Sequence, residues 1–250
     1  MQRIFSSIMD IGEQMLLSGA EVHRVEDSIE RMCQSFGAKR IDVFSITSSL
    51  VVTIFMEDGE KITQTRRINN TETDLEKLHR LNALSRRICQ ETMSVEEIQK
   101  EYTKCVNVKK YPVWMIFLTY GIVASSFTAF FGGTLRDTLL SPIIGLLLSV
   151  ITYFADKLGI NRIVVKFICS FLVTSIAFLF LDLGWISNVD MVIIGNIMLL
   201  IPGIGFTSAL RDLFVGDSIA GLLRIVEAVL MALAIGAGYF LFIWMMGGAF

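Results

Sequence analysis

The 250-residue chain contains 53% hydrophobic and only 18% charged residues, and its formal net charge is −2. An average soluble protein carries roughly 25% charged residues. The near-neutral charge excludes a nucleic-acid-binding protein, which needs a basic surface to replace the phosphate counterions. The charges are also unevenly placed, because 33 of the 46 charged residues precede residue 111 and 13 follow residue 110. This division predicts a water-soluble first part and an apolar second part.

The first part, residues 1–110, alternates between helical and strand-like patterns. Apolar residues three or four apart predict amphipathic helices, whereas β-branched runs separated by an Asp58-Gly59 turn predict strands. Ser18 with Glu21, and Ser94 with Glu97, have the spacing of capping boxes at helix starts. These patterns predict a compact α+β domain with helices at 2–17, 22–36, 73–87 and 94–102 and strands at 40–46, 50–56 and 60–68.

The second part, residues 111–250, contains long stretches without charge. About 20 mostly apolar residues are needed to cross a bilayer core of roughly 30 Å. The fold class predicted for the chain is therefore an α+β amino-terminal cytosolic domain followed by an all-α transmembrane domain with five helices. The five predicted spans lie at about 112–133, 138–155, 163–183, 190–208 and 219–246.

The basic residues near the predicted spans indicate their orientation. With the first part in the cytosol, eight lysines and arginines flank the inner ends of the spans and only Arg136 flanks an outer end. Positive residues favour the cytosolic side of a membrane. We therefore expect a multi-pass protein with its amino terminus inside and its carboxyl terminus outside.

A glycine- and proline-containing segment interrupts the fourth predicted span. Pro202 cannot donate a helix hydrogen bond, Gly203 loosens the backbone further, and Asn196 lies two turns earlier. In a bilayer the freed carbonyls need protein, water or a ligand as partners, and broken helices recur at transporter binding sites. The segment is therefore either a simple kink or span end, or part of a transport site.

Ionisable residues follow this segment. Ionisable groups in or near a membrane are costly and are usually paired or functional. They form either an interfacial ion-pair network that fixes two helices or a functional site. The charged candidates are Arg211, Asp212, Asp217, Arg224 and Glu227.

A second dense group of polar residues opens the predicted second helix. It includes Gly19, Glu21, Arg24 and Glu26, and it is either a solvated helix face or a contact and gating surface near the membrane. The chain has no nucleophile–base set, no phosphate-binding glycine loop and no metal-ligand spacing. We therefore expect no enzymatic activity, no cofactor and no metal site.

These two polar stretches carry a family resemblance. Ser18-Gly19-Ala20-Glu21 through Asp27, and Ile201-Pro202-Gly203 through Asp212 with Gly216-Asp217, Arg224 and Glu227, resemble the bacterial threonine/serine exporter family over nearly the whole chain. The resemblance implies a bacterial inner-membrane exporter of small amino acids. It also implies the longer chain of a split pair, whose partner is a second, small multi-span subunit. Some split relatives are linked to succinate export instead.

Three functions follow from the sequence. The first is a secondary transporter subunit that exports threonine, serine or a related small carboxylate such as succinate, driven by an ion gradient because no ATP-binding motif is present. The second is a membrane-anchored enzyme whose cytosolic domain is catalytic. The third is a sensor or scaffold whose cytosolic domain binds a partner.

Overall fold

The computed structural model describes residues 2–69, 71–91, 93–108 and 111–247. Within these residues the chain forms three strands and ten helices. The strands are β1 (Arg40–Ile46), β2 (Ser49–Phe55) and β3 (Lys61–Arg67). The helices are α1 (Gln2–Leu17), α2 (Val22–Ser35), α3 (Leu75–Gln90), α4 (Val95–Val106), α5 (Val113–Phe130), α6 (Leu135–Lys157), α7 (Arg162–Asp182), α8 (Val189–Ile197), α9 (Gly203–Val215) and α10 (Ser218–Met245).

The chain divides into two compact units. Unit 1 consists of Met1–Lys109 together with Ile204–Ile225, and unit 2 consists of Lys110–Gly203 together with Val226–Phe250. Helix α9 and the start of α10 therefore fold with the amino-terminal part of the chain.

Unit 1 is built around a three-stranded antiparallel sheet in the order β1-β2-β3. The central strand β2 turns Leu50, Val52 and Ile54 inward, and all three are fully buried. They alternate with less buried residues, as expected for a strand with one face on the core. The buried faces of α1 and α2 complete this core, and Ala220 of α10 joins it.

Unit 2 contains α5 to α8 and most of α10. Its core contains Ile144, Val173, Ala177, Val192 and Ile235. Among the described residues, α5, α6, α7 and α10 are the helices long and apolar enough to cross a membrane. Many of their large apolar side chains are exposed, which suits surfaces that face lipid.

Helix α6 shows how the fold satisfies a backbone group freed by proline. Pro142 lies inside the helix and cannot donate to the carbonyl of Thr138. That carbonyl instead accepts a hydrogen bond from the Ser125 hydroxyl of α5, at 2.8 Å. A side chain from a neighbouring helix is the expected remedy where water is scarce.

The predicted fold class, an α+β amino-terminal domain followed by a separate five-helix transmembrane domain, is wrong. Helices run through nearly the whole chain, and residues 204–225 belong to the unit that contains the sheet. The predicted fourth span divides into α8, of 9 residues, and α9, of 13 residues, each too short to qualify as a span. The physical reason is the break around Pro202, which separates α8 from α9, and from Ile204 onward α9 belongs to the other unit.

Local signals predict most elements of unit 1. The bounds of α1 and β1 are as predicted, and the capping box of Ser94 and Glu97 is confirmed at the start of α4. The start of α2 is also as predicted, and the other bounds of this part differ by one to four residues, as is common at element ends.

Candidate functional site

The turn between α1 and α2 is fixed by a glycine. Gly19 has a φ of +85°, its N–H donates to the Leu16 carbonyl, and the Ala20 N–H donates to the Met15 carbonyl, both at 3.0 Å. This pair of bonds is a Schellman motif, in which a residue of positive φ closes the end of a helix. The turn directs the next residues, Ala20 and Glu21, to the start of α2.

The capping box predicted for Ser18 and Glu21 is wrong. Glu21 is the N-cap of α2, but no side chain of its own segment caps the helix. Ser18 instead belongs to the end of α1, where its hydroxyl is buried without a hydrogen-bond partner among the described residues. The Schellman turn, for which Gly19 is the sequence signal, separates Ser18 from the helix it was expected to cap.

Asp212 of α9 brings a carboxylate to this helix start, where the side chain of Glu21 makes no capping hydrogen bond. Its side chain is only 1% exposed, and its carboxylate faces the N–H of Val22, the first residue of α2. A carboxylate is favourable there because helix N-termini carry unpaired N–H groups and a partial positive charge.

Arg224 of α10 ties Asp212 to the turn. Its Nη1 lies 3.0 Å from the Asp212 Oδ2, and its Nη2 donates to the Ala20 carbonyl at 2.8 Å. The guanidinium is 14% exposed, so both charges of this pair are largely removed from water. Removing one member of such a buried ion pair strongly destabilises the folded protein, because the other charge is left unpaired away from water.

Arg211 makes the outer contact of the same cluster. Its Nη1 lies 2.9 Å from the Glu21 Oε1, but its side chain is 63% exposed. Ion pairs this open contribute little to stability. We call Ala20, Glu21, Arg211, Asp212 and Arg224 the turn cluster. In this cluster Arg224 is held by its contacts with Asp212 and Ala20, whereas Arg211 remains accessible to solvent.

Burial sets the protonation of Asp212. Desolvation raises the pKa of Asp212 above its ordinary value, while Arg224 and the Val22 N–H lower it and the nearby charges of Asp217 and Glu21 raise it. The net direction is upward, so this carboxyl group binds a proton more readily than an exposed aspartate.

Glu26 and Asp217 lie at the edge of the turn cluster. The Glu26 Oε1 accepts from the Ser45 N–H at 2.7 Å and from the Ser45 hydroxyl at 3.0 Å. Burial raises the pKa of Glu26, the two bonds from Ser45 lower it, and the charge of Asp217 raises it again, with a net increase. The Asp217 Oδ2 is buried without a hydrogen-bond partner among the described residues.

The structure thus brings together Glu21, Arg211, Asp212 and Arg224, with Glu26 and Asp217 nearby, all within unit 1. Arg24 is exposed on α2 and takes part in none of the described ion pairs. Glu227 is exposed on α10, while Arg224, three residues earlier, pairs with Asp212. The remaining candidates, Asn196, Pro202 and Gly203, belong to unit 2.

Three participants were missed by the sequence analysis. The Ala20 carbonyl and the Val22 N–H are main-chain groups, which carry no side-chain signal in a sequence. Ser45 is the second-last residue of β1, and a serine in a strand usually indicates only a strand face. A network that depends on main-chain atoms becomes visible only once the fold is known.

The chain matches known proteins over nearly its full length. A family model described as "Putative threonine/serine exporter" matches residues 6–246. "Probable succinate transporter subunit YjjP" of Escherichia coli K12 is 22% identical over 94% of this chain and 92% of its own length, and the protein of the same name from Klebsiella aerogenes is 22% identical over 93% and 90%.

A fungal protein shares the same region as part of a longer chain. "Pheromone-regulated membrane protein 10" of Eremothecium gossypii is 26% identical over 92% of this chain, which covers 32% of the fungal protein. No solved structure matches significantly. The family match covers both stretches that form the turn cluster, together with four apolar helices typical of a multi-pass membrane protein. The chain therefore belongs to the threonine/serine exporter family.

Proposed function

We propose that the chain is one subunit of a secondary transporter that exports a small carboxylate-bearing solute: threonine, serine or a dicarboxylate such as succinate. The observation that carries this proposal is the exporter family match over residues 6–246. The description of the family supports threonine and serine, whereas the names of the bacterial relatives, which are called probable succinate transporter subunits, support a dicarboxylate. Membership of a transporter family favours this function over a membrane-anchored enzyme or a scaffold.

Arg211 is the cation best placed to attract a substrate carboxylate. Arg224 is already held by Asp212 and Ala20, whereas Arg211 is open to solvent and has a single exposed contact with Glu21. A substrate carboxylate competes easily for an exposed arginine because its surface ion pair is weak. We assign Arg211 to substrate attraction and Arg224 to positioning the α1–α2 turn.

The acidic groups around the turn cluster are the candidates for coupling to an ion gradient. Burial raises the pKa of Asp212, so this carboxyl group binds a proton at a higher pH than an exposed aspartate does. Asp217, which has a buried side-chain oxygen without a hydrogen-bond partner among the described residues, is a candidate on its position beside Asp212. Glu227, exposed on α10, remains a candidate on its position alone.

The segment between α8 and α9 is the proposed discontinuity in the transport path. Helix α8 ends at Ile197 and α9 begins at Gly203, so Pro202 lies between two helices rather than inside one. Carbonyls before such a break lack the donors of a continuing helix. We propose that Asn196, Pro202 and Gly203 line part of the substrate path.

We also propose that the transporter needs a second, small multi-span membrane subunit. The bacterial relatives are called transporter subunits, which supports an assembly of more than one chain. In this arrangement the residues 1–110 lie in the cytosol, and the described spans belong to a membrane part between residues 111 and 250.

The test is uptake into inverted membrane vesicles that contain the chain with and without its partner subunit. Labelled threonine, serine and succinate are followed under an imposed proton gradient, and a protonophore removes the gradient. We expect gradient-dependent accumulation of at least one solute with both chains. No accumulation of any of the three by correctly inserted chains would contradict the proposal.

A matched pair of variants tests the role of Arg211. Arg211→Gln should raise the KM for the transported solute severalfold, because the attracting charge is lost. Arg31→Gln is the control, since Arg31 is equally exposed, at 68%, and pairs with Asp27 on α2 away from the turn cluster. Equal effects of both substitutions would remove Arg211 from the substrate path.

A further inference from the structure

A buried polar seam connects three helices of unit 2. Thr128 of α5, Ser141 of α6 and Asn196 of α8 are each fully buried. The Thr128 and Ser141 hydroxyl oxygens lie 2.7 Å apart, and the Asn196 amide nitrogen donates to the Ser141 hydroxyl oxygen at 2.8 Å. The Thr128 hydroxyl is also within 2.9 Å of the Ala124 carbonyl, which anchors the seam to the backbone of α5.

The hydrogen bonds determine which atom of the Asn196 side-chain amide is the nitrogen and which is the oxygen. The amide nitrogen also donates to the Val192 carbonyl, at 2.9 Å. A carbonyl only accepts, so exchanging the nitrogen and oxygen of the side chain would place two acceptors against each other. The amide oxygen must therefore be the atom that points away from both contacts.

That oxygen has no hydrogen-bond partner. Asn196 Oδ1 is a buried side-chain acceptor left unpaired within the described part of unit 2. A buried, unsatisfied amide oxygen is costly, and native proteins retain such groups mainly where a ligand, water or ion completes them. The fold thus maintains a desolvated acceptor at a defined position.

Close packing of α8 holds this acceptor in place. A Cβ atom at Gly195 would lie 2.7 Å from the Thr128 backbone nitrogen, so only glycine lets α8 approach α5 this closely. Asn196 follows directly, one residue before α8 ends at Ile197. The acceptor therefore lies next to the interruption that precedes Pro202.

We propose that Asn196 is a specificity-determining residue whose amide oxygen accepts a hydrogen bond from an N–H or O–H group of the transported solute. This inference rests on the proposed transport function and narrows its substrate class. An ammonium or hydroxyl group satisfies the unpaired oxygen, whereas a dicarboxylate brings only acceptors and leaves it unpaired. The chain therefore selects small amino acids over succinate.

Discrimination of this kind is strong because the amide oxygen is buried. A binding site with a buried polar group rejects a solute that cannot pair with it by large factors, since the group is then desolvated without compensation. Thr128 and Ser141 act only as positioning residues, because their hydroxyls hold the amide but do not replace its free oxygen. Removing them should weaken packing without changing which solute is chosen.

The experiment compares three solutes in inverted vesicles that contain both subunits. Serine carries ammonium and hydroxyl donors, alanine carries only ammonium, and succinate at neutral pH carries neither. For the unsubstituted chain we expect kcat/KM for serine to exceed that for succinate. A larger value for serine than for alanine assigns the contact to the hydroxyl, and equal values assign it to the ammonium group.

Substitutions separate specificity from structure. Asn196→Leu should lower kcat/KM for serine about tenfold, mainly through KM, and leave succinate transport unchanged or increased, because the unpaired acceptor is gone. Ser141→Ala is the matched control, since the amide nitrogen keeps its bond to Val192; it should preserve the serine-to-succinate ratio. Rates are normalised to the amount of inserted chain.

A second variant is used if the Asn196→Leu chain is not inserted into the membrane. Asn196→Asp has the same shape, and when protonated it keeps one donor and one acceptor, so it should retain the preference for serine. Three results would overturn the proposal: an equal loss for all solutes in Asn196→Leu, a changed ratio in Ser141→Ala alone, or a preference of the unsubstituted chain for succinate. Absence of all transport would overturn the proposed function as well.

Discussion

At the scale of single residues, the contact between Asp212 and Arg224 is a largely buried ion pair of unit 1. Asp212→Asn removes the charge but keeps the shape, and it leaves the mostly buried Arg224 without its counter-charge. We expect the free energy of unfolding to fall by about 3 kcal/mol, near the lower end for breaking a buried ion pair. Thermal unfolding of the purified full chain in detergent measures this loss.

The control for this prediction is an exposed pair on α2. Asp27→Asn breaks the contact between Asp27 and Arg31, whose side chains are 44% and 68% exposed. Surface pairs typically contribute less than about 1 kcal/mol. Similar losses for the two variants would show that the Asp212 pair contributes no more than a surface contact.

Glu26 gives unit 1 a pH dependence of defined sign. Burial raises the pKa of Glu26 in the folded chain. A carboxyl group with a raised pKa stabilises the fold fully below its unfolded pKa, about 4.3, and this contribution is lost as the pH rises through the raised folded value. The Glu26→Gln substitution should remove part of this loss of stability with rising pH.

The measurement is the melting temperature of the full chain between pH 4 and pH 8. Glu26→Gln should show a smaller decrease in stability with rising pH than the unsubstituted chain. Glu30→Gln, on the exposed face of the same helix, should leave the slope unchanged. If the slope of melting temperature against pH is also unchanged in Glu26→Gln, Glu26 is excluded as the source of this pH dependence.

At the scale of elements, two Schellman turns provide a natural comparison. Gly19 and Gly37 have φ angles of +85° and +84° and close α1 and α2 with the same pair of hydrogen bonds. Replacing either glycine with alanine forces a side chain into the left-handed region, which costs roughly 1–2 kcal/mol. Gly19→Ala and Gly37→Ala should therefore destabilise the chain by similar amounts.

Transport should distinguish the two variants. Gly19 precedes Ala20 and Glu21, whose carbonyl and carboxylate contact Arg224 and Arg211, whereas Gly37 leads into β1. A shift of the α1–α2 turn moves those contacts, so we expect only Gly19→Ala to lower transport beyond its effect on stability. Equal transport by both variants, at equal amounts of inserted chain, would argue against a role of the turn in export.

The same elements show where sequence reasoning succeeds. The helices and strands of residues 1–110 follow from apolar periodicity and local turn residues, and α1 and β1 have the predicted bounds. The predicted fourth span failed because periodicity and apolarity do not distinguish one long helix from two short ones separated at Pro202. The polar candidates were found by type, but their contacts depend on bringing Ala20 to Arg224 across 204 positions of sequence.

At the scale of the whole molecule, the family match and the charge distribution address different questions. The match establishes the exporter family, while the excess of basic residues on one side of the spans predicts orientation. The seam of Thr128, Ser141 and Asn196 was not predicted as a unit, because single hydroxyl residues in apolar helices usually bond to their own backbone. Only the packing of three helices reveals that they meet.

The orientation of unit 1 can be tested with its own cysteines. Cys89, at the end of α3, is exposed, whereas Cys33, Cys105 and Cys169 are buried. If residues 1–110 lie in the cytosol, a membrane-impermeant maleimide should label Cys89 in inverted vesicles but not in intact cells. Partial burial raises the pKa of Cys89, so labelling should accelerate as the pH rises from 7 to 8.5, when more thiolate forms. Cys89→Ser should abolish the signal, and labelling in intact cells that is lost in Cys89→Ser would place unit 1 on the outer side and reverse the proposed topology.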